Sequence, residues 1–293
     1  RVTVIHQDDL GVSGARNSGV AAADSEFIVF LDSDDALRPG ALQAALTAQR
    51  AAPQDFVVWH YTTDEHDPAA VTADAALRPQ AGLARLWLDC LLAMPWNKLY
   101  RTDLAKQLPF DVQYTLGEDL QFVLDYIALL GQTAPGFGYR VLNSPLTFYD
   151  CSRGGTLSTR YHANYCDIWP KHFAKLNTAC HAAGCPAEDM RPLHRAELQV
   201  FAEGVADIMR RDPSPTKRLR GYKAEAALRS PWLRALLERM KIEGCYSAYY
   251  LPCRWRNVGL VCRVANARLA DSPLYGKLDW AGYYLLLGRM RRD

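Results

Sequence analysis

Phe27-Ile28-Val29-Phe30-Leu31-Asp32-Ser33-Asp34-Asp35 runs from five apolar residues rich in β-formers into three carboxylates within four positions. Such a stretch reads as a fully buried strand of a parallel sheet, and open α/β sheets place their ligands just beyond the carboxyl ends of their strands. The acids therefore fall where a site is expected. If the chain stays extended through Ser33, the period of two turns Asp32 and Asp34 to the same side, where a hard divalent cation could hold them together against their repulsion. That arrangement points to a metal-bound diphosphate. A plainer reading stays open: Asp favours N-caps and Pro the first helical turn, so the acids could cap a helix that begins at Pro39.

Around this stretch, strand and helix patterns alternate. A strand is expected at Val2 to His6, a helix from about Gly14 to Ala23, a helix from about Pro39 to Arg50 and a strand at Phe56 to Tyr61. That rhythm is the βαβ pattern of a crossover-connected sheet. A loop rich in Asp, Ala and Thr (63–75) precedes a helix near Leu83 to Leu92, which Pro95-Trp96-Asn97-Lys98-Leu99-Tyr100 interrupts. Leu120, Val123, Ile127 and Leu130 recur at helical spacing, which sets Glu118 and Asp119 in a first helical turn. Strands are expected at Gly138 to Leu142 and Leu146 to Tyr149, then a polar, glycine-containing loop from Asp150 to Ser158. Beyond Tyr161 the texture is helical, broken at Asp212-Pro213-Ser214-Pro215. The expected organisation is an α/β domain over 1–160 and a helical region over 161–293.

The 293 residues are 49% hydrophobic and 23% charged, the composition of a folded chain able to bury one large core or two smaller ones. A net charge of +2 argues against a nucleic-acid partner, although Arg and Lys crowd into the last third. Eight cysteines at irregular spacing fit reduced thiols in a cytoplasmic compartment better than a disulfide framework. No run approaches the ~20 apolar residues of a membrane-spanning helix. The chain opens inside what reads as a strand, with neither initiator Met nor leader, as a piece of a longer protein does.

Three segments occur in order: Gly11-Val12-Ser13-Gly14-Ala15-Arg16-Asn17-Ser18-Gly19, then Leu31-Asp32-Ser33-Asp34-Asp35, then Gly117-Glu118-Asp119-Leu120-Gln121-Phe122. With Trp96-Asn97-Lys98-Leu99-Tyr100 between the last two, the set resembles the signature of family 2 glycosyltransferases of the GT-A fold, a Rossmann-like mixed sheet flanked by helices. The resemblance covers roughly residues 1–160. Its departure lies at the amino end: the two opening strands that hold the base and ribose in this family have no counterpart, so about half of the nucleotide pocket is expected to be missing from this chain.

The resemblance implies an inverting, metal-dependent transfer of a sugar from a nucleotide-diphosphate donor to a hydroxyl of a cell-surface polysaccharide or lipid-linked glycan precursor. A departing diphosphate gains negative charge, which a divalent metal neutralises directly. Asp34 is the first candidate ligand, Asp32 lies near the ribose or a metal-bound water, and Asp35 supports the loop; all-oxygen ligands favour Mg²⁺ or Mn²⁺. Arg16 and Asn17 are implied beside the nucleotide, Asp119 as the base with Glu118 as a secondary acid, and Trp96, Asn97 and Lys98 on the acceptor side. Arg153 and Ser158 fall where relatives close over the diphosphate. Each has a plainer reading: glycines that pack a helix on a sheet, first-turn acids that complement a helix dipole at about 0.3–1 kcal/mol each, a core Trp, an exposed loop.

Two further readings concern the carboxyl-terminal region. His162, Cys166, His172, Cys180, His181 and Cys185 match no zinc-ligand spacing, and core thiols account for them more simply. Between Met209 and Arg292, cationic residues interleave with Trp232, Leu236, Leu237, Tyr246, Tyr249, Tyr250, Leu251, Trp255 and Leu285 to Leu287. Helices so composed can lie on an anionic membrane surface, here the inner face of the cell membrane, or can form a helical core with a solvated basic face. A non-catalytic scaffold that keeps the sheet, and a nucleotidyltransferase, are the alternatives to the transferase.

Overall fold

The structure, a computed structural model, describes residues 2–114, 116–151, 160–273 and 275–279. It divides into two compact units, Arg1–Ser158 with Lys175–Cys185, and Thr159–Ala174 with Pro186–Asp293. A single cut near 160 therefore does not describe it, because 175–185 returns to the first unit.

In chain order the first unit holds α1 (Gly11–Ala22), β1 (Phe27–Ile28), β2 (Ala36–Leu37), α2 (Ala41–Ala51), β3 (Phe56–Thr62), β4 (Ala75–Pro79), α3 (Leu83–Leu88), β5 (Tyr100–Arg101), α4 (Thr102–Ala105), α5 (Glu118–Thr133) and β6 (Gly138–Phe148). The spine is β6. It pairs along its length with parallel β3, while its other edge takes antiparallel β4 over 138–142 and antiparallel β2 at 147–148. At Gly138 an added Cβ would lie 2.5 Å from Leu77 Cδ1 and 2.9 Å from the Arg78 carbonyl, so only glycine lets β4 approach. An isolated antiparallel bridge from Val58 to Lys98 joins the chain before β5 to β3, and β5 pairs antiparallel with β1. Hence β1, β3 and β6 run in one direction, and their carboxyl ends share one edge.

Alanines at 41, 44, 45 and 48 form one helical face that packs on Val57, Trp59, Leu142 and Leu146. Phe30, Phe56, Tyr100, Phe110, Phe122 and Tyr126 form an aromatic cluster, with Phe110 and Phe122 stacked at 4.0 Å.

Several expectations are corrected. Val2 to His6 is not a strand; Val2 and Val4 are exposed and no described strand offers pairing, without which an extended segment has no ladder to join. Phe27–Leu31 is not a fully buried parallel strand: only Phe27–Ile28 pairs, antiparallel, and Leu31 is 49% exposed. Nor does the chain stay extended through Ser33. It turns there, with the Asp35 amide donating to the Asp32 carbonyl at 3.1 Å, because short polar side chains favour turns. The two strands expected within 138–149 are one, kinked where Pro145, which has no N–H to give, falls at a register shift. Ser144, at the same kink, accepts from the Thr72 amide, and Arg38 donates to the carbonyls of Pro145, Asp67 and Ala69, so the kink anchors the preceding loop.

The second unit contains the start of α6 (Tyr165–Ala182), then α7 (Ala187–Arg211), α8 (Lys217–Ala227), α9 (Pro231–Glu243), α10 (Tyr250–Arg254) and α11 (Val258–Leu269). Thr216, Ser230 and Asn257 cap α8, α9 and α11 by accepting the amides of Leu219, Leu233 and Leu260. Of the two readings of this region's aromatics, the helical core accounts for Leu236, Leu237, Tyr246, Tyr249 and Tyr250, which are buried in it, and Trp232 packs on Phe201 at 5.1 Å. Trp255 alone of the described set is mostly exposed, at 63%. Leu285 to Leu287 lie outside the described residues. No described helix is long and apolar enough to cross a membrane.

Two outcomes follow from paired carboxylates. Asp55, 4% exposed, accepts from the Gly138 amide at 2.9 Å and from Arg140 at 2.8 Å, so Asp55→Ala strands both and is expected to cost about 3–5 kcal/mol in urea unfolding. Asp212 is held well below the usual carboxylate range by hydrogen bonds from Lys223 and Ser214. Its folded pKa is below the unfolded value of about 3.9, so its stabilisation is present above that pH and is lost as pH falls. Between about pH 5 and pH 2 the urea midpoint of Asp212→Asn is expected to fall less steeply than that of the wild type.

Candidate active site

Gly117 at φ 78° starts α5 in a left-handed conformation open to glycine, and so sets Glu118 and Asp119 in the first turn at the expected place. Ser13, Arg16 and Asn17 share one face of α1. Ser13 donates to the Asp111 carbonyl at 3.3 Å, and Asn17 exchanges two hydrogen bonds of 2.8 Å with the backbone of Phe110. The Asn17 amide thus docks α1 on the 110–111 segment.

Arg16 is the meeting point. One arm of its guanidinium donates to Asp32 at 3.0 Å; the other donates to Asp119 and lies 3.6 Å from Glu118. Its charged plane sits 5.4 Å over the Phe110 ring, at 10% side-chain exposure. One cation therefore gathers the three separated sequence segments, and three carboxylates surround it. Burial works against the Arg16 charge, but Asp119, Asp32 and Glu118 outweigh it and raise its pKa. Burial pushes Asp119 up to about 7; Arg16 opposes that rise, and Glu118 and Asp32 add to it. The pair is held by a charge-assisted contact to a fixed cation, so above neutral pH Asp119 is an ionised, oriented carboxylate.

The acids after β1 divide their duties. Asp32 turns to Arg16, and Asp35 accepts the Asp150 amide at 3.1 Å. Asp34 has no ion-pair partner among the described residues. Burial, beside Asp32, Asp34 and Asp150, pushes Asp35 up to about 6 against the pull of the Asp150 amide, and its Oδ2 is buried with no hydrogen-bond partner. No three described acids here bring their oxygens within 4.8 Å of one another. A partnerless buried oxygen, an unpaired Asp34 and a donor set made only of oxygen suit a hard divalent cation.

Trp96, Asn97 and Lys98 come close in space but not to solvent. Trp96 is stacked 5.4 Å from Tyr149, with Tyr61 edge-on at 5.2 Å, so both aromatic partners already cover it. The fully buried Lys98 ammonium donates to the carbonyls of Leu91 and Met94 and to Asn97 Oδ1 at 2.5–2.6 Å. Burial lowers the Lys98 pKa well below that of a solvated lysine. Asn97 donates to the Trp59 carbonyl at 3.0 Å. These two side chains shape the 91–97 loop from within. Arg153 and Ser158 lie outside the described residues. Phe110, Tyr61 and Tyr149 had no local signal in the sequence; they become part of the site through the strands and loops that bring them there.

Acids, aromatics and one arginine at the carboxyl ends of like-directed strands, with a helical region following, make a GT-A-like fold. The solved structure of TarS 1–349 of S. aureus with UDP-GlcNAc shares it with a TM-score of 0.54 at 16% identity, covering 93% of this chain and 76% of that one. Residues 1–109 match the family model Glycosyl transferase family 2. It is 31% identical over 121 residues to the putative glycosyltransferase EpsH of Bacillus subtilis (39% of this chain, 35% of the relative). It is 30% identical over 154 residues to the succinoglycan biosynthesis protein ExoO of Rhizobium meliloti (47% of this chain, 44% of the relative). The chain thus spans less than half the length of the curated relatives it matches.

Arg16→Ala leaves Asp32, Glu118 and Asp119 facing one another and is expected to destabilise the first unit by about 3–5 kcal/mol. The deficit should shrink on acidification as Asp119 protonates, which urea unfolding at about pH 8 and about pH 5 would read.

Proposed function

We propose that this domain transfers a sugar from a nucleotide-diphosphate donor to a hydroxyl of an envelope polysaccharide or a lipid-linked glycan precursor, with inversion at the anomeric carbon. The observation that carries the reading is the convergence of Asp32, Glu118 and Asp119 on Arg16, with Asp34 left available at the same strand ends. Support comes from the fold neighbour, solved in complex with UDP-GlcNAc, and from the relative named for succinoglycan biosynthesis.

Asp119 takes the proton of the attacking hydroxyl as its oxygen bonds to the anomeric carbon and the bond to the diphosphate breaks. One base and one displacement give inversion. Arg16 keeps the Asp119 carboxylate in a fixed orientation, and Glu118 adds negative charge that favours proton uptake. Asp34 and Asp32 would hold Mg²⁺ or Mn²⁺, which supplies positive charge to the departing diphosphate. The packed Trp96, Asn97 and Lys98 fix the loop that borders the acceptor side.

The test is release of nucleoside diphosphate from a panel of sugar nucleotides with Mn²⁺, using the protein as the cell makes it. Asp34→Ala and Asp119→Ala are each expected to lower kcat/KM by more than about 100-fold. Because a base must be deprotonated, the wild-type kcat/KM is expected to fall as pH drops through about 7. Turnover unchanged in both variants overturns the assignment. Donor binding without turnover by the wild type would favour the scaffold reading, and release of pyrophosphate from a nucleoside triphosphate would favour the nucleotidyltransferase.

A further inference from the structure

His194, Glu243 and Cys245 meet within the second unit. His194 is fully buried on α7; Glu243 ends α9, and Cys245, also buried, follows across Gly244. Gly244 adopts φ 65°, a left-handed turn that brings both flanking side chains back to the same place. His194 Nδ1 lies 2.6 Å from Glu243 Oε2, and the Cys245 thiol donates to the same oxygen at 3.4 Å. One nitrogen, one oxygen and one sulfur thus lie within 4.8 Å of one another, the only such trio of His, Cys, Asp or Glu among the described residues.

We propose that His194 Nδ1, the Glu243 carboxylate and Cys245 Sγ form a transition-metal site of the Zn²⁺ type. A thiolate and an imidazole beside one carboxylate select Zn²⁺ over Mg²⁺, whose preferred ligands are all oxygen. Tetrahedral bonds of about 2.0–2.3 Å put donor atoms roughly 3.3–3.8 Å apart, so the sulfur–oxygen distance already fits and the nitrogen–oxygen contact opens by about 0.7 Å. Glu243 keeps 27% side-chain exposure, which gives the ion a way in to two buried donors.

Binding is balanced in charge and protons. Burial and Glu243 push the Cys245 thiol up to about 12, so the ion must displace its proton to solvent. The imidazole binds neutral through Nδ1 with its proton on Nε2, and the 3.3 Å contact from Arg239 to Nε2 gives way. Thiolate and carboxylate then cancel the dication, and a fourth position stays open to water. The surrounding cations are Arg239, Arg191 and Arg195; Arg195 is committed to Asp279 at 2.5 Å. Such an ion would fasten α7 to the turn that follows α9.

This site stands or falls separately from glycosyl transfer. The experiment titrates the chelator-treated full chain with Co²⁺ and then Zn²⁺. The expected result is one equivalent bound, a near-ultraviolet thiolate-to-cobalt band that Zn²⁺ bleaches, and a Tm raised by Zn²⁺ and not by Mg²⁺. Cys245→Ser should abolish the band, and His194→Gln and Glu243→Gln should each weaken Zn²⁺ binding more than about tenfold. Glu243→Gln, at a partly exposed position, keeps the test decisive if the buried variants fold poorly. No band in the wild type, or a band that survives in Cys245→Ser and so belongs to one of the other seven cysteines, overturns the proposal.

Discussion

The first unit depends on one guanidinium. Arg16 holds Asp32, Glu118 and Asp119 within a shell that Phe110 closes from below. Take the cation away and three carboxylates from separate elements repel across a partly buried space, where the interaction is far stronger than in water. The arrangement fixes the loop after β1, the face of α1 and the first turn of α5 at once. It also explains why Ser13, one turn before Arg16, and Asn17, the next residue, are given to backbone partners: they set the helix so that its arginine arrives in place.

The second constraint is β6. An eleven-residue strand that serves parallel β3 on one edge and two antiparallel strands on the other is buried on both faces for most of its length. Its kink at Asn143–Pro145 separates β4 from β2 and carries the strand end, Tyr149 and Asp150, toward the acids. Asp150 then steadies Asp35 through its amide. Strand geometry and acid geometry are therefore not independent.

Much of this was legible in the chain. Helical periodicity placed α2 and α5 within a residue or two, and the three motif segments named residues that do converge. What could not be read was direction and partner. Phe27–Leu31 has the composition of a buried parallel strand, yet composition cannot say that its only described neighbour is the two-residue β5 running the opposite way. Asn17, Asn97 and Lys98 stand among motif residues, but their polar atoms are taken up by backbone groups remote or local, and nothing in residue type distinguishes that from ligand contact. The carboxyl-terminal aromatics look the same in sequence whether they meet lipid or one another. β4 went unnoticed because Ala75–Pro79 lacks β-branched residues and forms only by lying on β6.

The buried Lys98 ammonium has an evolutionary corollary. Since three oxygens of the 91–97 segment are gripped from inside, the backbone path of that segment does not depend on its outward side chains. Cys90, Ala93 and Met94 keep some exposure along it. Substitution at those positions can change what the segment presents to solvent while its course is kept, so surface chemistry and architecture are assigned to different atoms of the same short segment.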